Sequence, residues 1–253
     1  MSIRVAILAI LVGVISVVAE YTQPSIWPQP KSFVTGQSQT NVLPFQYVSK
    51  NGNVKTLSEA YDRNNKLIFN HAVDDAKHGK QAVYKVEVSV ADNSEAYPQL
   101  TTDESYSLHI PSSTESGPAV ITLTAKTIYG ALHGLQSLSQ LVVYDFDADS
   151  YFIPSTPMQI EDAPRYPHRG MLLDTSRHFQ PIPFIQQTID ALSYAKYNVL
   201  HWHVVDTQSF PFESKTYEKL WNGAYTNAEK YSRADVKQLV EYGRSRGVKI
   251  MIE

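Results

Sequence analysis

The residues best suited to chemistry begin with Asp174 and Arg177, which lie three positions apart in the stretch DTSRH. They follow the short apolar run Met171–Leu173, which predicts a buried strand. In parallel α/β folds ligands bind at the carboxyl ends of the strands, where an arginine can present its guanidinium fork to a polar substrate. The alternative is a local ion pair that only fixes the loop. The position at a strand end favours the substrate-binding interpretation.

A second polar cluster ends the next apolar strand. His201 and His203 lie two positions apart and therefore face the same side of that strand, and Asp206 follows closely. This is an acceptable set of metal ligands, but strand histidines are more often satisfied by hydrogen bonds, and no third ligand cluster is evident. Asp206 is therefore expected to orient a histidine or to tune an acid. A metal-dependent hydrolase that uses His201 and His203 is the alternative.

The elements around these clusters predict a parallel sheet. Helical periodicity between the two strands makes residues 169–206 a βαβ unit. A second helix is predicted to begin at Ser232 and to end at Gly247, before a third strand at residues 248–252. Glu253 then either adds a carboxylate to the same edge or is simply solvated. Three strands cannot close a barrel, so the sequence predicts a small open sheet or a fragment of a larger one.

The residues before this unit predict a domain of another type. Strands are predicted at residues 84–90, 106–110 and 120–124, and helices at 57–69 and 128–142. Such a series is typical of an α+β domain with a largely antiparallel sheet, whereas the Pro-rich chain up to residue 47 is expected to be only partly extended. Two prolines within residues 161–167 argue against a regular element there. The predicted domains are therefore residues 20–165 and 166–253.

The first residues of the chain predict a secretory protein. Residues 1–19 carry Arg4, a long apolar stretch and small residues up to Ala19, which is the pattern of a cleaved signal peptide. A signal anchor is the alternative, but the stretch is shorter than the ~20 residues that span a bilayer, so no stable membrane anchor is expected. A net charge of −3 without a basic run argues against a nucleic-acid partner. The absence of cysteine excludes disulfides and a thiolate nucleophile.

Three stretches together resemble the β-N-acetylhexosaminidases of glycoside hydrolase family 20. They are HRGMLLDTSRHF (168–179), KYNVLHWHVVDTQSFPF (196–212) and RSRGVKIMIE (244–253), with weaker similarity in WPQP, DESYSLHI and YGALHGLQSLSQLV. A lone HWH is weak evidence, but these motifs at this spacing are specific. The family architecture is an α+β domain followed by a (β/α)8 TIM-type barrel. The resemblance thus implies that residues 166–253 begin a catalytic barrel, with only its first three strands present.

The resemblance also implies roles for individual residues. Arg177 matches the arginine that hydrogen-bonds the hydroxyls of the terminal sugar, and Asp174 matches the aspartate that supports this site. Asp206 matches the aspartate that orients a histidine, which in turn contacts the general acid. His203 resembles a residue that shapes the pocket, and Glu253 matches the glutamate at the end of the third strand.

The implied reaction is hydrolysis of terminal non-reducing N-acetylhexosamine residues from β-N-acetylhexosaminides. In this family the substrate's own 2-acetamido oxygen attacks the anomeric carbon. In an adjacent Asp–Glu pair, the Asp orients and stabilises the acetamido group and the Glu protonates the leaving oxygen. That pair follows the fourth strand in relatives, so it is expected beyond Glu253, and the present chain alone is expected to be inactive. At Thr207 many relatives carry a second aspartate, so no role is assigned there.

The implied partners are glycans that end in N-acetylglucosamine or N-acetylgalactosamine, or chitin oligomers, without a metal or another cofactor. A homodimer is implied for a full-length chain. The implied location is the lysosome or the outside of the cell. The sequence leaves open the gluco or galacto preference and the choice between these two destinations. The remaining alternative is a non-catalytic secreted carbohydrate-binding protein built from residues 20–165.

Overall fold

The computed structural model describes residues 25–72, 82–112 and 119–253. The predicted signal peptide, residues 1–19, lies outside the described residues. None of the helices in the described ranges combines the length and the apolar character that a membrane span requires.

The first part of the described chain forms a six-stranded sheet with two helices, here called the six-stranded unit. Its elements are β1 (Ser32–Ser49), α1 (Lys55–Ile68), β2 (Val83–Asp92), β3 (Tyr106–Ile110), β4 (Val120–Thr127), α2 (Ile128–Leu141), β5 (Val143–Asp145) and β6 (Ser150–Asp162). The three predicted strands and both predicted helices are all present. Val86, Val88 and Val90 alternate along β2 and are all buried, which confirms the predicted inward face.

Sequence reasoning missed three strands, β1, β5 and β6. β1 is long but has a weak alternation, and its Val34 is 68% exposed. β6 contains Pro154 and Pro157, residues that normally argue against a strand. β6 also continues through Asp162, so the prediction that residues 161–167 hold no regular element is wrong for the first two of them.

The sheet is mixed: most of its strand pairs are antiparallel, as predicted, but two pairs are parallel. The strand order is β1-β2-β4-β3-β6-β5, and β1 also pairs with β6. The pairs β1–β2 and β2–β4 are parallel, and the other four pairs are antiparallel. A parallel pair needs a crossover connection, which α1 provides between β1 and β2. Because β1 was not recognised in the sequence, this crossover was not recognised either.

The second part forms a three-stranded parallel sheet with two helices, here called the three-stranded unit. Its elements are β7 (Gly170–Asp174), α3 (Ile182–Tyr194), β8 (Val199–His203), α4 (Arg233–Arg244) and β9 (Lys249–Ile252), with strand order β7-β8-β9. This confirms the predicted βαβ unit. One face of the sheet packs against α3 and α4 and buries Leu200 and Trp202. The other face carries His201 and Leu172, and Leu172 is 54% exposed.

Buried charged side chains join the two units. Glu104, just before β3, accepts hydrogen bonds from Arg169 Nη2 (2.7 Å) and from Asn198 Nδ2 (3.3 Å). Lys196 Nζ donates to Asp162 Oδ2 at the end of β6 (3.1 Å). Arg169 and Asn198 directly precede β7 and β8. This network therefore fixes the beginnings of the two strands whose carboxyl ends carry the polar clusters.

Candidate active site

The polar residues singled out in the sequence meet at the carboxyl ends of the three parallel strands. Asp174 is the last residue of β7, Asp206 lies three residues after β8, and Glu253 directly follows β9. The strand register places Asp174 opposite His203. Three carboxylates from different parts of the chain thus lie at the carboxyl end of the sheet, as parallel strand order requires.

Arg177 is held between two of these carboxylates. Its Nη1 donates to Asp174 Oδ2 (2.8 Å), and its Nη2 lies 2.6 Å from Asp206 Oδ2. The other oxygen of Asp174 accepts hydrogen bonds from the backbone N–H groups of Ser176 and Arg177. The ion pair between Asp174 and Arg177 therefore exists, and it orients a side chain that is still 45% exposed. A guanidinium has five N–H donors, so two carboxylate contacts leave donors for a ligand.

The pKa values of this pair favour its charged state. Burial by itself would raise the pKa of Asp174, but hydrogen bonds from the backbone and side chain of Arg177 and from Ser176 outweigh it and lower that pKa. The hydrogen bond that Arg177 donates to Asp174 raises the pKa of Arg177 above its ordinary value. The guanidinium is therefore a permanent cation that faces solvent at the strand ends.

His203 links the remaining carboxylates. His203 Nε2 lies 2.9 Å from Asp206 Oδ2, and its Nδ1 lies 3.2 Å from Glu253 Oε2. The same Glu253 oxygen lies 2.6 Å from His201 Nε2. Asp206 thus contacts a histidine of its own strand, whereas the resemblance places its histidine partner beyond the third strand.

The contacts of His203 shift the pKa values of the groups around it. Hydrogen bonds to the carboxylates of Asp206 and then of Glu253 raise the pKa of His203. The hydrogen bond with His203, followed by that from the backbone of Thr207, lowers the pKa of Asp206 to about 2. Hydrogen bonds with His203 and His201 lower the pKa of Glu253. Carboxylates and histidines therefore alternate along the strand ends, and the contacts of His203 with Asp206 and Glu253 favour the charged form of these three groups.

The metal-site alternative finds no support in the described part of the chain, where no three His, Asp or Glu side chains are arranged to hold an ion. His201 and His203 face the same side of β8, as predicted. Their common contact with the carboxylate of Glu253 shows this orientation.

Several supporting residues escaped the sequence analysis. Buried Thr175 accepts a hydrogen bond from Trp202 Nε1 (2.8 Å), and buried Ser176 donates to the carbonyl of Ser209 (2.9 Å). Thr207, to which no role was assigned, donates from its backbone N–H to Asp206 Oδ1 (2.6 Å). The signal available was two small hydroxyl residues, Thr175 and Ser176, between Asp174 and Arg177.

The long segment after Asp206 is attached to the strand ends at several points. It contains a 3-10 helix, Glu218–Gly223, and Phe212 forms a parallel bridge with Tyr231. Tyr231 is buried, and its hydroxyl donates to the carbonyl of Gln180 (2.5 Å). This segment is therefore held against the loop between β7 and α3.

Two family models match the chain. The model described as glycosyl hydrolase family 20, catalytic domain, matches residues 166–253, which contain the whole candidate site. The model described as beta-acetyl hexosaminidase like matches residues 26–141 of the six-stranded unit. Together the two models match most of the chain, which is therefore similar to glycoside hydrolase family 20 in both units. The resemblance seen in the sequence is thereby confirmed.

Individual members of the family agree with this assignment. The beta-hexosaminidase subunit B2 of Dictyostelium discoideum is 38% identical over 231 residues, which cover 90% of this chain and 40% of that protein. The human beta-hexosaminidase subunit beta is 36% identical over 91% of this chain and 42% of its own length. The solved structure of a chitobiase from Flavobacterium johnsoniae has a TM-score of 0.73 at 28% identity, over 90% of this chain and 34% of that chain. The chain thus spans less than half the length of these relatives.

Proposed function

We propose that this chain is part of a β-N-acetylhexosaminidase, which hydrolyses terminal non-reducing N-acetylhexosamine residues from β-N-acetylhexosaminides. The observation that carries this proposal is the guanidinium of Arg177, held between Asp174 and Asp206 at the ends of adjacent parallel strands. The support from related proteins is that the curated relatives in this family are named beta-hexosaminidases.

The geometry supports a role for Arg177 in binding the terminal sugar. Its remaining N–H donors would hydrogen-bond sugar hydroxyls, and the two carboxylates would keep the guanidinium in place. Because contacts to a distorted sugar ring strengthen in the transition state, Arg177 would affect kcat as well as KM. Asp174 and Asp206 would act through Arg177, and His203 would fix the orientation of Asp206. Glu253 would hold both histidines from the end of β9.

The same proposal covers the architecture. Residues 20–165 would form an α+β domain, and residues 166–253 would form the first three strands of a (β/α)8 barrel. The supporting observation is that α3 and α4 cover only one face of the parallel sheet, while Leu172 and Met251 on the other face are exposed. In this proposal the reaction depends on an acid–base pair supplied by a fourth strand, as the family resemblance implies. A full-length chain would form a homodimer.

We also propose that the protein acts in the secretory pathway, in the lysosome or outside the cell. Its substrates would be chitin oligomers or glycans that end in N-acetylglucosamine or N-acetylgalactosamine. The supporting observations are the predicted signal peptide, residues 1–19, and the beta-hexosaminidases and the chitobiase among the relatives.

Sugar binding by the chain tests the proposal directly. N-acetylglucosamine and glucose would be titrated separately into the 253-residue chain, and binding would be followed by ligand-detected NMR. We expect weak, saturable binding of N-acetylglucosamine that Arg177→Ala abolishes. Arg165→Ala is the matched control, because Arg165 is an exposed arginine that stacks on Tyr166, outside the candidate site. Equal binding of both sugars, or unchanged binding in Arg177→Ala, would contradict the proposal.

Kinetics test the same residue during turnover. In the protein expressed from its complete source gene, Arg177→Ala should raise KM and lower kcat for a fluorogenic N-acetyl-β-D-glucosaminide. We expect a loss of about 100-fold in kcat/KM, because a charged hydrogen bond to a substrate contributes about 3 kcal/mol at most. If the kinetics do not change, Arg177 does not belong to the site.

A further inference from the structure

A second cleft lies between helices of the two units, away from the strand ends. It has a volume of about 430 Å3 and is lined by residues of α1, α2 and α3 and by the turn after α4. None of the residues of the candidate active site lines it. Among the described residues that line it, Arg63, Lys66 and Arg246 are cationic, and Asp190 carries the single carboxylate.

Contacts within the three-stranded unit already engage this carboxylate. Arg246 Nε donates to Asp190 Oδ1, and the hydroxyl of Tyr242 donates to Asp190 Oδ2 (2.7 Å). The Arg246 guanidinium also stacks on the Tyr242 ring, with its central carbon 3.4 Å from the ring centroid. Asp190 therefore balances Arg246, and no other described residue that lines the cleft offers a carboxylate to Arg63 or Lys66.

Arg63 reaches this cleft from the six-stranded unit. Its Nη2 donates to the carbonyl of Ser245 (2.8 Å), which is one of the contacts between the units. Glu59, one turn earlier on α1, lies 4.0 Å away and is also paired with Lys55. Burial lowers the pKa of Arg63, and the charge of Arg246 lowers it further. Two guanidinium groups therefore repel each other across the boundary between the units.

Among the residues that the structure describes, Lys66 is the cation of the cleft that has no ionic partner. It lies three residues after Arg63 on α1, and residues at this spacing are neighbours on one helix face. Its ammonium makes no hydrogen bond or ion pair with any other residue that the structure describes. Because the side chain is exposed, it can move toward a ligand without breaking an existing contact.

We propose that this cleft binds a phosphate-type oxyanion through Arg63, Lys66 and Arg246. The planar guanidinium groups offer paired donors that match the oxygens of a phosphate, and the lysine adds a compact charge. The ligand is inorganic phosphate or the phosphate group of a phosphorylated sugar, since the volume exceeds that of one phosphate and Gln136 and Ser193 add polar groups to the walls. A bound anion would join α1 to the turn after α4 and stabilise the contact between the units.

The binding test uses the 253-residue chain and isothermal titration calorimetry. Inorganic phosphate, glucose 6-phosphate and glucose would be titrated separately at constant ionic strength, adjusted with sodium chloride. We expect saturable binding of both phosphates and none of glucose, with a rise in the unfolding temperature that sodium chloride does not reproduce. If glucose 6-phosphate binds more tightly than phosphate, the ligand is a sugar phosphate; equal affinities identify the free anion.

A matched pair of variants tests the site itself. Lys66→Ala should weaken phosphate binding about five- to tenfold, which is the usual effect of losing one charge-assisted contact. Lys55→Ala removes the same charge from the same helix but does not line the cleft, so phosphate affinity should be unchanged. Circular dichroism would verify that both variants fold. Absence of saturable phosphate binding, or equal weakening by both variants, would overturn the proposal.

Discussion

Replacing Glu104 with glutamine should destabilise the chain strongly, because Glu104 is the central carboxylate between the two units. It is 6% exposed, it accepts a hydrogen bond from Arg169 Nη2 at 2.7 Å, and it lies 3.5 Å from His133 Nε2. Burial by itself would raise the pKa of Glu104, but its contacts with His133 and then with Arg169 outweigh this effect and lower it. Glu104 is therefore ionised at neutral pH, and its loss leaves a partly buried guanidinium without its counter-charge.

The expected loss of unfolding free energy follows from the contacts that each variant retains. Removing one partner of a buried ion pair costs about 3–5 kcal/mol. Arg169 keeps hydrogen bonds to the carbonyls of Lys196 and Tyr166, both at 2.8 Å, and a glutamine oxygen can still accept from Asn198. We therefore expect a loss of about 3 kcal/mol for Glu104→Gln and about 4 kcal/mol for Glu104→Ala. At ~2–4 °C per kcal/mol for a chain of this size, the glutamine variant should unfold about 6–12 °C below the wild type.

Urea unfolding at pH 7, followed by circular dichroism and tryptophan fluorescence, measures this loss. Glu87→Gln is the matched control, because Glu87 pairs with Lys50 and Lys85 at 2.9 Å on the surface, where such pairs contribute little. Arg169→Met and the double variant with Glu104→Gln complete a cycle that isolates the coupling between the two side chains. The reasoning is refuted if Glu104→Gln is as stable as the wild type, or if both glutamine variants lose equal stability.

The pH dependence provides an independent measurement on the same residue. Because the folded-state pKa of Glu104 lies below the unfolded value, its contribution is complete above about pH 4.5 and is lost as the pH falls through the folded pKa. Burial also lowers the pKa of His133. The wild type and Glu104→Gln should therefore both lose stability below about pH 6.5, where His133 binds a proton more readily in the unfolded chain than in the folded one. The difference between wild type and Glu104→Gln should therefore narrow below pH 4.5. A constant difference would contradict the ionic contribution.

Three further changes test individual contacts. Trp202→Phe should cost about 2–3 kcal/mol in urea unfolding, because it removes buried volume and leaves the Thr175 hydroxyl without its donor; a loss below 1 kcal/mol would show that the site relaxes freely. Ser232→Ala should cost about 1 kcal/mol in the same assay through loss of the capping box at the start of α4, and unchanged stability would contradict that role. Asp206→Asn should lower the pKa of His203, because the larger of its two carboxylate contacts loses its charge; an NMR titration of the imidazole that shows no decrease would exclude that contact.

The parallel sheet could be predicted because its signals are local. Each strand of the three-stranded unit is a short apolar run, and α3 places Ile185, Ile189 and Leu192 on one buried face. The polar residues after each strand could be predicted to meet, because parallel order brings carboxyl ends to one edge. The roles assigned to these residues stay predictions until the binding and kinetic tests above are made.

The mixed sheet could not be predicted because its signals are not local. β1 lies between two partners, yet Val34 faces solvent and the strand register shifts more than once along its pairing with β6. The contact between the units depends on pairs far apart in the chain, such as Glu104 and Arg169, 65 residues apart. Lys196 adopts a positive φ of 57°, a conformation more often taken by glycine or asparagine, so its sequence gives no sign of that turn.

Contacts at the beginnings and at the ends of β7 and β8 together fix the position of Arg177. At their beginnings, the buried contact of Glu104 with Arg169 and Asn198 fixes β7 and β8 relative to the six-stranded unit. At their ends, Asp174 and Asp206 hold the guanidinium, and the pKa of each carboxylate is lowered, so that both stay charged well below neutral pH. If Arg177 binds a sugar as proposed, a side chain fixed in this way would lose little freedom on binding, and this would raise affinity without any new contact. Substitutions at Glu104, far from the ligand, should therefore weaken sugar binding as well as folding.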